Sequence, residues 1–288
     1  ALAKHNINKK LLVITRIGDT HVGLFHDYLL IDKNYRGATY NGKMAAVKKF
    51  FVWAIDTYTI NMKNPFEKVR LLPVAVRRDT ITKEEFKNLL KIIKPENGIE
   101  IKGKYKRNRY KLYLKDALEL ALHTGGRREE VVGLKWNMIR EKDGEPIYIE
   151  VPNLKVKRKK GTRFDIDVPP KIIPVTKSLK AILFRLGYDM NKGKDRHLLN
   201  PDKRTASSTK SMNEALSLGF SHFYNQLNTG RELKFKCLRK TYLTYLSSTL
   251  KGDAKRLSSH ATDTVLKKHY IDERIVDKAI KELDIFED

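Results

Sequence analysis

Two stretches of helical apolar spacing lie near the start of the chain. Residues 21 to 32 and residues 44 to 58 each repeat apolar side chains every three or four positions: Val22, Phe25, Leu29 and Leu30, then Val47, Phe50, Phe51, Ala54 and Ile55. This period predicts two helices separated by the turn-rich sequence NYRGATYNG. Pro65 predicts the end of the second helix, because proline cannot continue the hydrogen-bond ladder.

The sequence VRLLPVAVRRDTITKEEF is typical of a linker that leads into a new helix. Thr82 followed by Glu85 predicts a capping box ahead of the next apolar residues. We therefore expect a first domain over residues 1–75, a linker over 76–80 and a second domain over 81–288. A chain of 288 residues is also about the length of two domains.

The pattern of the second domain predicts mostly helices and one small sheet. LYLKDALELALH predicts a helix that ends at Gly125 and Gly126, and the alternation of β-branched residues from 145 to 175 predicts antiparallel strands. Helical spacing returns in three later stretches and again in a C-terminal tail helix over residues 271–288. The expected fold class is mainly α with a small antiparallel β-sheet (α+β).

The charge balance favours nucleic acid as the partner. Lysine and arginine number 59 against 34 acidic residues, which gives a net charge of +25 and a pI near 9.9. One cysteine, Cys237, excludes an internal disulfide, and no apolar run is long enough to cross a bilayer. The chain begins at Ala1, so we expect either a processed N-terminus or an upstream segment.

Four short stretches place basic groups where they could meet a phosphate. TGGRREE presents Arg127 after a glycine turn, and a guanidinium can bind phosphate oxygens through two parallel hydrogen bonds. In NLKVKRK, Lys155 and Lys157 share one face of a predicted strand. KCLR places Lys236 and Arg239 on one face of a predicted helix.

The fourth stretch, LSSHATDTVLKKHY, contains His260 and Tyr270 in basic surroundings. Each of these features alone is as well explained by an ordinary surface or packing residue. In this order, however, TGGRREE, the strand lysines, KCLR, SSHAT and the final HY resemble the tyrosine recombinases, the phage-integrase family of site-specific DNA recombinases. The resemblance extends over nearly the whole chain.

The resemblance implies a two-domain C-shaped clamp, with a helical core-binding domain over residues 1–75 and a catalytic domain over 81–288. It implies that DNA strands are cut and rejoined through a covalent 3′-phosphotyrosine, for integration or excision of a mobile element. The site residues that it implies are Tyr270 as nucleophile, Arg127, Arg239, His260, and Lys155 with Lys157 as the alternative general acid. Lys236 stands where the family's HxxR pattern has histidine.

The resemblance also implies the partners. They are double-stranded DNA, further copies of the chain in a DNA-bound tetramer that exchanges the C-terminal tail, and host DNA-bending proteins. No metal, nucleotide or other cofactor and no membrane is expected, and the expected location is cytoplasmic and nucleoid-associated. Two alternatives stay open: a type IB topoisomerase, and a DNA-binding protein whose active site has decayed, which the lysine at position 236 suggests.

Overall fold

A computed structural model describes residues 13–74, 80–154, 168–201 and 204–249. The chain divides into two compact units, residues 1–77 and residues 78–288. Within the described residues the structure is mainly helical with two small antiparallel sheets, which confirms the predicted fold class. The roles assigned to the two predicted domains remain predictions.

The first unit is helical. Helix α1 spans Asp19–Asp27 and continues into a π-helical turn, Tyr28–Asp32, and α2 spans Gly37–Thr57. The two helices were expected, but α2 begins inside the stretch predicted as a turn. Asn41, in the first turns of α2, exchanges two hydrogen bonds of 2.8 Å with the backbone of Leu72, which holds the following segment against the helix. The core contains Leu29, Tyr40, Met44, Phe51 and Phe66.

The second unit contains the remaining helices and all the strands of the described chain. Helix α3 (Lys83–Ile92) begins at the predicted capping box: Thr82 Oγ1 accepts from the Glu85 amide at 3.1 Å, and the Glu85 carboxylate accepts from the Thr82 amide at 2.9 Å. The other helices are α4 (Leu114–Thr124), α5 (Arg128–Val132), α6 (Lys177–Arg185), α7 (Tyr188–Asn191), α8 (Ala206–Asn225) and α9 (Lys236–Thr249).

Two antiparallel sheets accompany these helices. Strands β1 (Ile99–Lys102) and β2 (Tyr105–Asn108) form a basic hairpin that the sequence analysis did not predict. Strands β3 (Ile139–Lys142), β4 (Glu145–Val151) and β5 (Lys171–Pro174) form the predicted small sheet in the order β3-β4-β5. Val151 at the end of β4 lies opposite Lys171 at the start of β5.

Helix α4 is the centre of the second core. Its apolar residues are fully buried, and it packs against α5, α6, α8 and α9. Helices α5 and α9 both pack on α4, and residues from their first turns lie on the same side of the domain. Among the described residues, no helix is both long enough and apolar enough to cross a membrane.

Candidate functional site

Arg127 follows directly on the turn that ends α4. Gly125 closes that helix in the left-handed conformation (φ 58°), and a Cβ at this position would lie 2.2 Å from the ring of Tyr242. Only glycine therefore combines this backbone angle with this packing. The turn leaves Arg127 as the N-cap residue of α5, with its side chain about one third exposed.

Arg239 comes from the first turns of α9 and reaches the same turn. Its Nη1 donates to the carbonyl oxygen of Gly125, so the guanidinium is fixed to the backbone just before Arg127. Its side chain is 19% exposed. Burial and the neighbouring positive charge of Arg127 lower the pKa of Arg239, and the carboxylate of Glu130 opposes that shift. An arginine remains protonated despite such a shift.

Glu130 lies between the two arginines. Its Oε2 accepts a hydrogen bond of 2.9 Å from the Arg127 amide, and its Oε1 accepts one of 3.0 Å from Arg127 Nη1. Oε2 also lies 4.0 Å from Arg239 Nη1. Burial by itself would raise the pKa of Glu130, but the Arg127 amide and the nearby cations outweigh it and lower the pKa. The carboxylate is therefore ionised near neutral pH.

Lys171 completes this cluster from the sheet side. Its Nζ donates to Glu130 Oε1 from the first residue of β5, and both side chains are buried. Burial lowers the pKa of Lys171, and the positive charges of Arg127 and Arg239 act in the same direction, while Glu130 raises it. One buried carboxylate thus organises three cations drawn from three separate elements.

The two arginines line a cleft of about 930 Å³. Its described walls are formed by the first turn of α5, Leu154, residues of α8 from Ala206 to Ser217, and the start of α9. Arg128 fixes α5 to α8 through a hydrogen bond of 2.9 Å from Nη1 to Ser217 Oγ. The described lining has six cationic residues, Arg127, Arg128, Lys210, Lys234, Lys236 and Arg239, against three acidic ones, Glu129, Glu130 and Glu214. Such a surface suits an anion with several oxygen atoms.

The structure brings three of the sequence-predicted site residues together. Arg127, Arg239 and Lys236 all line the cleft, and Lys236 is an exposed residue at the start of α9. The other predicted residues, Lys155, Lys157, His260 and Tyr270, lie outside the described residues. Strand β4 ends at Val151 and residues 152–154 lie outside any strand, while the rest of the strand predicted for the two lysines lies outside the described residues. The catalytic roles of all these residues remain predictions.

Comparison with solved structures identifies the fold. The chain is similar to a lambda integrase tetramer bound to a Holliday junction, with a TM-score of 0.60 and 19% identity, over 91% of this chain and 75% of that one. It is similar to lambda integrase bound to DNA (TM-score 0.57, 18% identity, 91% of this chain and 88% of that one). It also resembles the Tn1549 transposon integrase in complex with transposon right end DNA (0.54, 16%, 92% and 87%).

These proteins are tyrosine recombinases. The chain has the tyrosine-recombinase fold. No family model and no curated protein matches the sequence. The recombinase fold of this chain therefore rests on the structural likeness, and the ordered motifs of the sequence agree with it.

Two members of the charged cluster in this recombinase fold were not assigned from the sequence. Glu130 is the last residue of the TGGRREE motif, and its spacing three residues after Arg127 indicates a contact at a helix N-terminus. Lys171 begins an apolar strand, and a lysine in that position was a weak indication of a buried ion pair. Its partner lies on a different element and could not be read from the sequence.

Proposed function

We propose that this protein is a site-specific tyrosine recombinase of the integrase type. It cuts and rejoins DNA strands through a covalent 3′-phosphotyrosine, in the integration or excision of a mobile element. The observation that carries the proposal is the convergence of Arg127 and Arg239 on one carboxylate at the wall of a cationic cleft. The sequence order of the remaining motifs supports it.

The two arginines bind the nonbridging oxygens of the scissile phosphate. Charge develops on these oxygens during attack, and fixed guanidinium groups stabilise it without having to reorganise. Arg239 is restrained by Gly125, and Arg127 is restrained by Glu130. Lys236, at the edge of the same cleft, adds a hydrogen-bond donor that is positively charged.

The cleavage step is assigned to residues of the sequence motifs that lie outside the described residues. The Tyr270 hydroxyl oxygen attacks phosphorus, a phosphotyrosine bond forms, and the bond from phosphorus to the 5′ oxygen breaks. Lys155, or alternatively Lys157, gives its proton to the departing 5′ oxygen. His260 orients a phosphate oxygen or assists transfer of the Tyr270 hydroxyl proton to solvent. The phosphotyrosine conserves the energy of the broken bond, so a 5′ hydroxyl can later reverse the attack.

The partners follow from the same proposal. The net charge of +25 and the six cations of the cleft suit the backbone of double-stranded DNA. Two of the similar solved structures are a lambda integrase tetramer and a lambda integrase dimer on DNA, and we propose that this chain also assembles on its DNA. The tail exchange between subunits, the part played by host DNA-bending proteins and a nucleoid-associated location belong to the same proposal.

Trapping on nicked DNA tests the proposed chemistry. A substrate in which cleavage releases a short fragment prevents rejoining, so a tyrosine recombinase accumulates a protein–DNA adduct that survives denaturation. A decayed DNA-binding protein binds the duplex but leaves no adduct. A type IB topoisomerase also gives the adduct, but it relaxes supercoiled plasmid and yields no product from paired recombination sites. Adduct together with paired-site products is the result that we expect.

A further inference from the structure

The buried ammonium of Lys171 takes no direct part in the chemistry proposed above. It lies at the first position of β5, opposite Val151 in the sheet, with its side chain only 10% exposed. Glu130, its partner on α5, is 3% exposed, whereas Arg127 is 32% exposed and lines the cleft. Lys171 is therefore much less exposed than Arg127, and it is not among the described residues that line the cleft.

Each carboxylate oxygen of Glu130 contacts a different set of donors and cations. Oε1 accepts from both Lys171 Nζ and Arg127 Nη1, and Oε2 accepts from the Arg127 amide and faces Arg239. The position of the carboxylate thus sets the position of both guanidiniums. Lys171 is the member of this cluster that ties the carboxylate to the sheet.

Removing Lys171 would have two effects on the site. The carboxylate of Glu130 would be shared by the two arginines alone, so each guanidinium would be drawn towards it and away from a bound phosphate. Helix α5 would also lose its ionic link to β5. A displacement of about 1 Å in a reacting complex can cost a factor of about 100 in rate.

We propose that Lys171 is a positioning residue for strand cleavage, which holds the Glu130 carboxylate so that Arg127 and Arg239 meet the scissile phosphate correctly. This inference rests on the proposed function, and it differs from the proton-donating role given to Lys155 or Lys157. Lys171 acts through Glu130 and not on the DNA. Its loss therefore slows cleavage without weakening the binding of duplex DNA.

The test compares Lys171→Met with Lys171→Arg and with the control Lys180→Met. Methionine keeps an unbranched side chain that is one atom shorter and has no charge, and arginine keeps the charge. Lys180 also pairs with a glutamate, Glu145, but both partners are well exposed, and exposed pairs contribute little. We expect adduct formation to slow about 10- to 100-fold in Lys171→Met, to recover substantially in Lys171→Arg, and to stay at the wild-type rate in Lys180→Met.

A substrate with sulfur in place of the 5′ oxygen separates positioning from proton donation. A thiolate leaves without a proton, so this substrate rescues an enzyme that lacks its general acid. We expect no rescue of Lys171→Met, because its defect lies in the arginines and not in the leaving group. Rescue would make Lys171 the proton donor and overturn the inference.

The Glu130→Gln background gives a second readout. Lys171→Met should cause no further loss of cleavage there, because the carboxylate through which Lys171 acts has been replaced by a neutral amide. This double variant also covers the case in which Lys171→Met does not fold, since loss of both members of a buried pair is tolerated better than loss of one. A full additional loss in the Glu130→Gln background would overturn the inference.

The failures of the two proposals are distinguishable. Normal cleavage by both the wild type and Lys171→Met overturns the positioning role alone. A wild-type protein that forms no adduct on nicked DNA overturns the proposed function and this inference with it. Melting temperatures and duplex affinities, measured for every variant, separate slow cleavage from unfolding or lost binding.

Discussion

At the scale of single residues, one carboxylate organises the described part of the site. Glu130 is buried among Arg127, Arg239 and Lys171, and its charge is what keeps these cations close together. Without it, three positive charges would repel one another in surroundings of low polarity. The three cations outnumber the single carboxylate, and the remaining positive charge can bind a phosphate.

The lowered pKa of Glu130 gives a pH dependence of stability. Because the folded state favours the ionised form, Glu130 stabilises the protein at pH values above the ordinary glutamate pKa of about 4.3. That contribution is lost as the pH falls through the lower pKa of the folded state. We expect Glu130→Gln to lower the melting temperature at pH 7, and the difference from the wild type to shrink below about pH 4.

Glu145→Gln is the matched control for this measurement. Its ion pair with Lys180 is exposed on both sides, so its removal should change the melting temperature little at any pH. A difference between wild type and Glu130→Gln that is constant from pH 3 to pH 7 would show that ionisation of Glu130 does not stabilise the fold.

Replacing the lysine at position 236 by histidine should make the cleavage rate depend on pH in a different way. Lysine side chains stay charged through the neutral range, whereas histidine titrates near pH 6.5. The ratio of the Lys236→His cleavage rate to the wild-type rate should therefore rise as the pH falls from 8 to about 5.5. Lys236→Arg keeps a permanent charge, so its ratio should stay flat. A flat ratio for Lys236→His would mean that charge at this cleft position is unimportant.

At the scale of elements, the turn between α4 and α5 joins the two arginines. The carbonyl oxygen of Gly125 accepts a hydrogen bond from Arg239, and Arg127, two residues later, is the N-cap residue of the next helix. The sequence predicted this turn from its two glycines. It could not predict that Tyr242 of α9 would pack directly against it, because that contact depends on the tertiary arrangement of two distant helices.

Two alanine substitutions test the turn. Gly125 and Gly103 have nearly equal positive φ angles, 58° and 60°, but a Cβ at Gly103 would contact nothing within 4 Å. Gly125→Ala should therefore lower the free energy of unfolding by about 1–3 kcal/mol more than Gly103→Ala, because it adds a clash with Tyr242 to the same backbone strain. Equal losses in a urea titration would show that the contact with Tyr242 yields without cost.

Sequence patterns predicted local features of the fold better than contacts between distant elements. Periodicity and capping located the longer helices, and the capping box at Thr82 is present as predicted. The β1–β2 hairpin was missed because its strands have only four residues each and are almost entirely exposed, so they lack a buried face. The pair between Lys171 and Glu130 was missed because no local rule links a strand residue to a helix residue so far away in the chain.

At the scale of the whole molecule, the charge is unevenly distributed. Residues 271 to 288 lie outside the described residues, and they contain seven acidic side chains and three basic ones in a chain of net charge +25. Apolar residues at helical spacing predict one apolar face there: Ile271, Ile275, Val276, Ala279, Ile280 and Leu283. An acidic helix with such a face suits a basic protein surface better than DNA.

Deletion of residues 274 to 288 tests the role of this tail in assembly. If the tail docks on a neighbouring subunit, the truncated protein should bind a single half-site normally but form few tetramers on paired sites and little recombinant product. Gel-shift and recombination assays at equal protein concentration measure both properties. A truncated protein that still assembles and recombines normally would show that the tail packs on its own subunit.

In the proposed reaction Tyr270 forms a covalent bond with DNA, and the adduct trapped on nicked DNA identifies the residue that forms it. Protease digestion of that adduct, followed by mass spectrometry, identifies the residue that carries the nucleotide. We expect the phosphodiester on Tyr270, and we expect Tyr270→Phe to bind the same duplex with nearly unchanged affinity while forming no adduct. A nucleotide on any other residue, or an adduct that persists in Tyr270→Phe, would contradict the assignment.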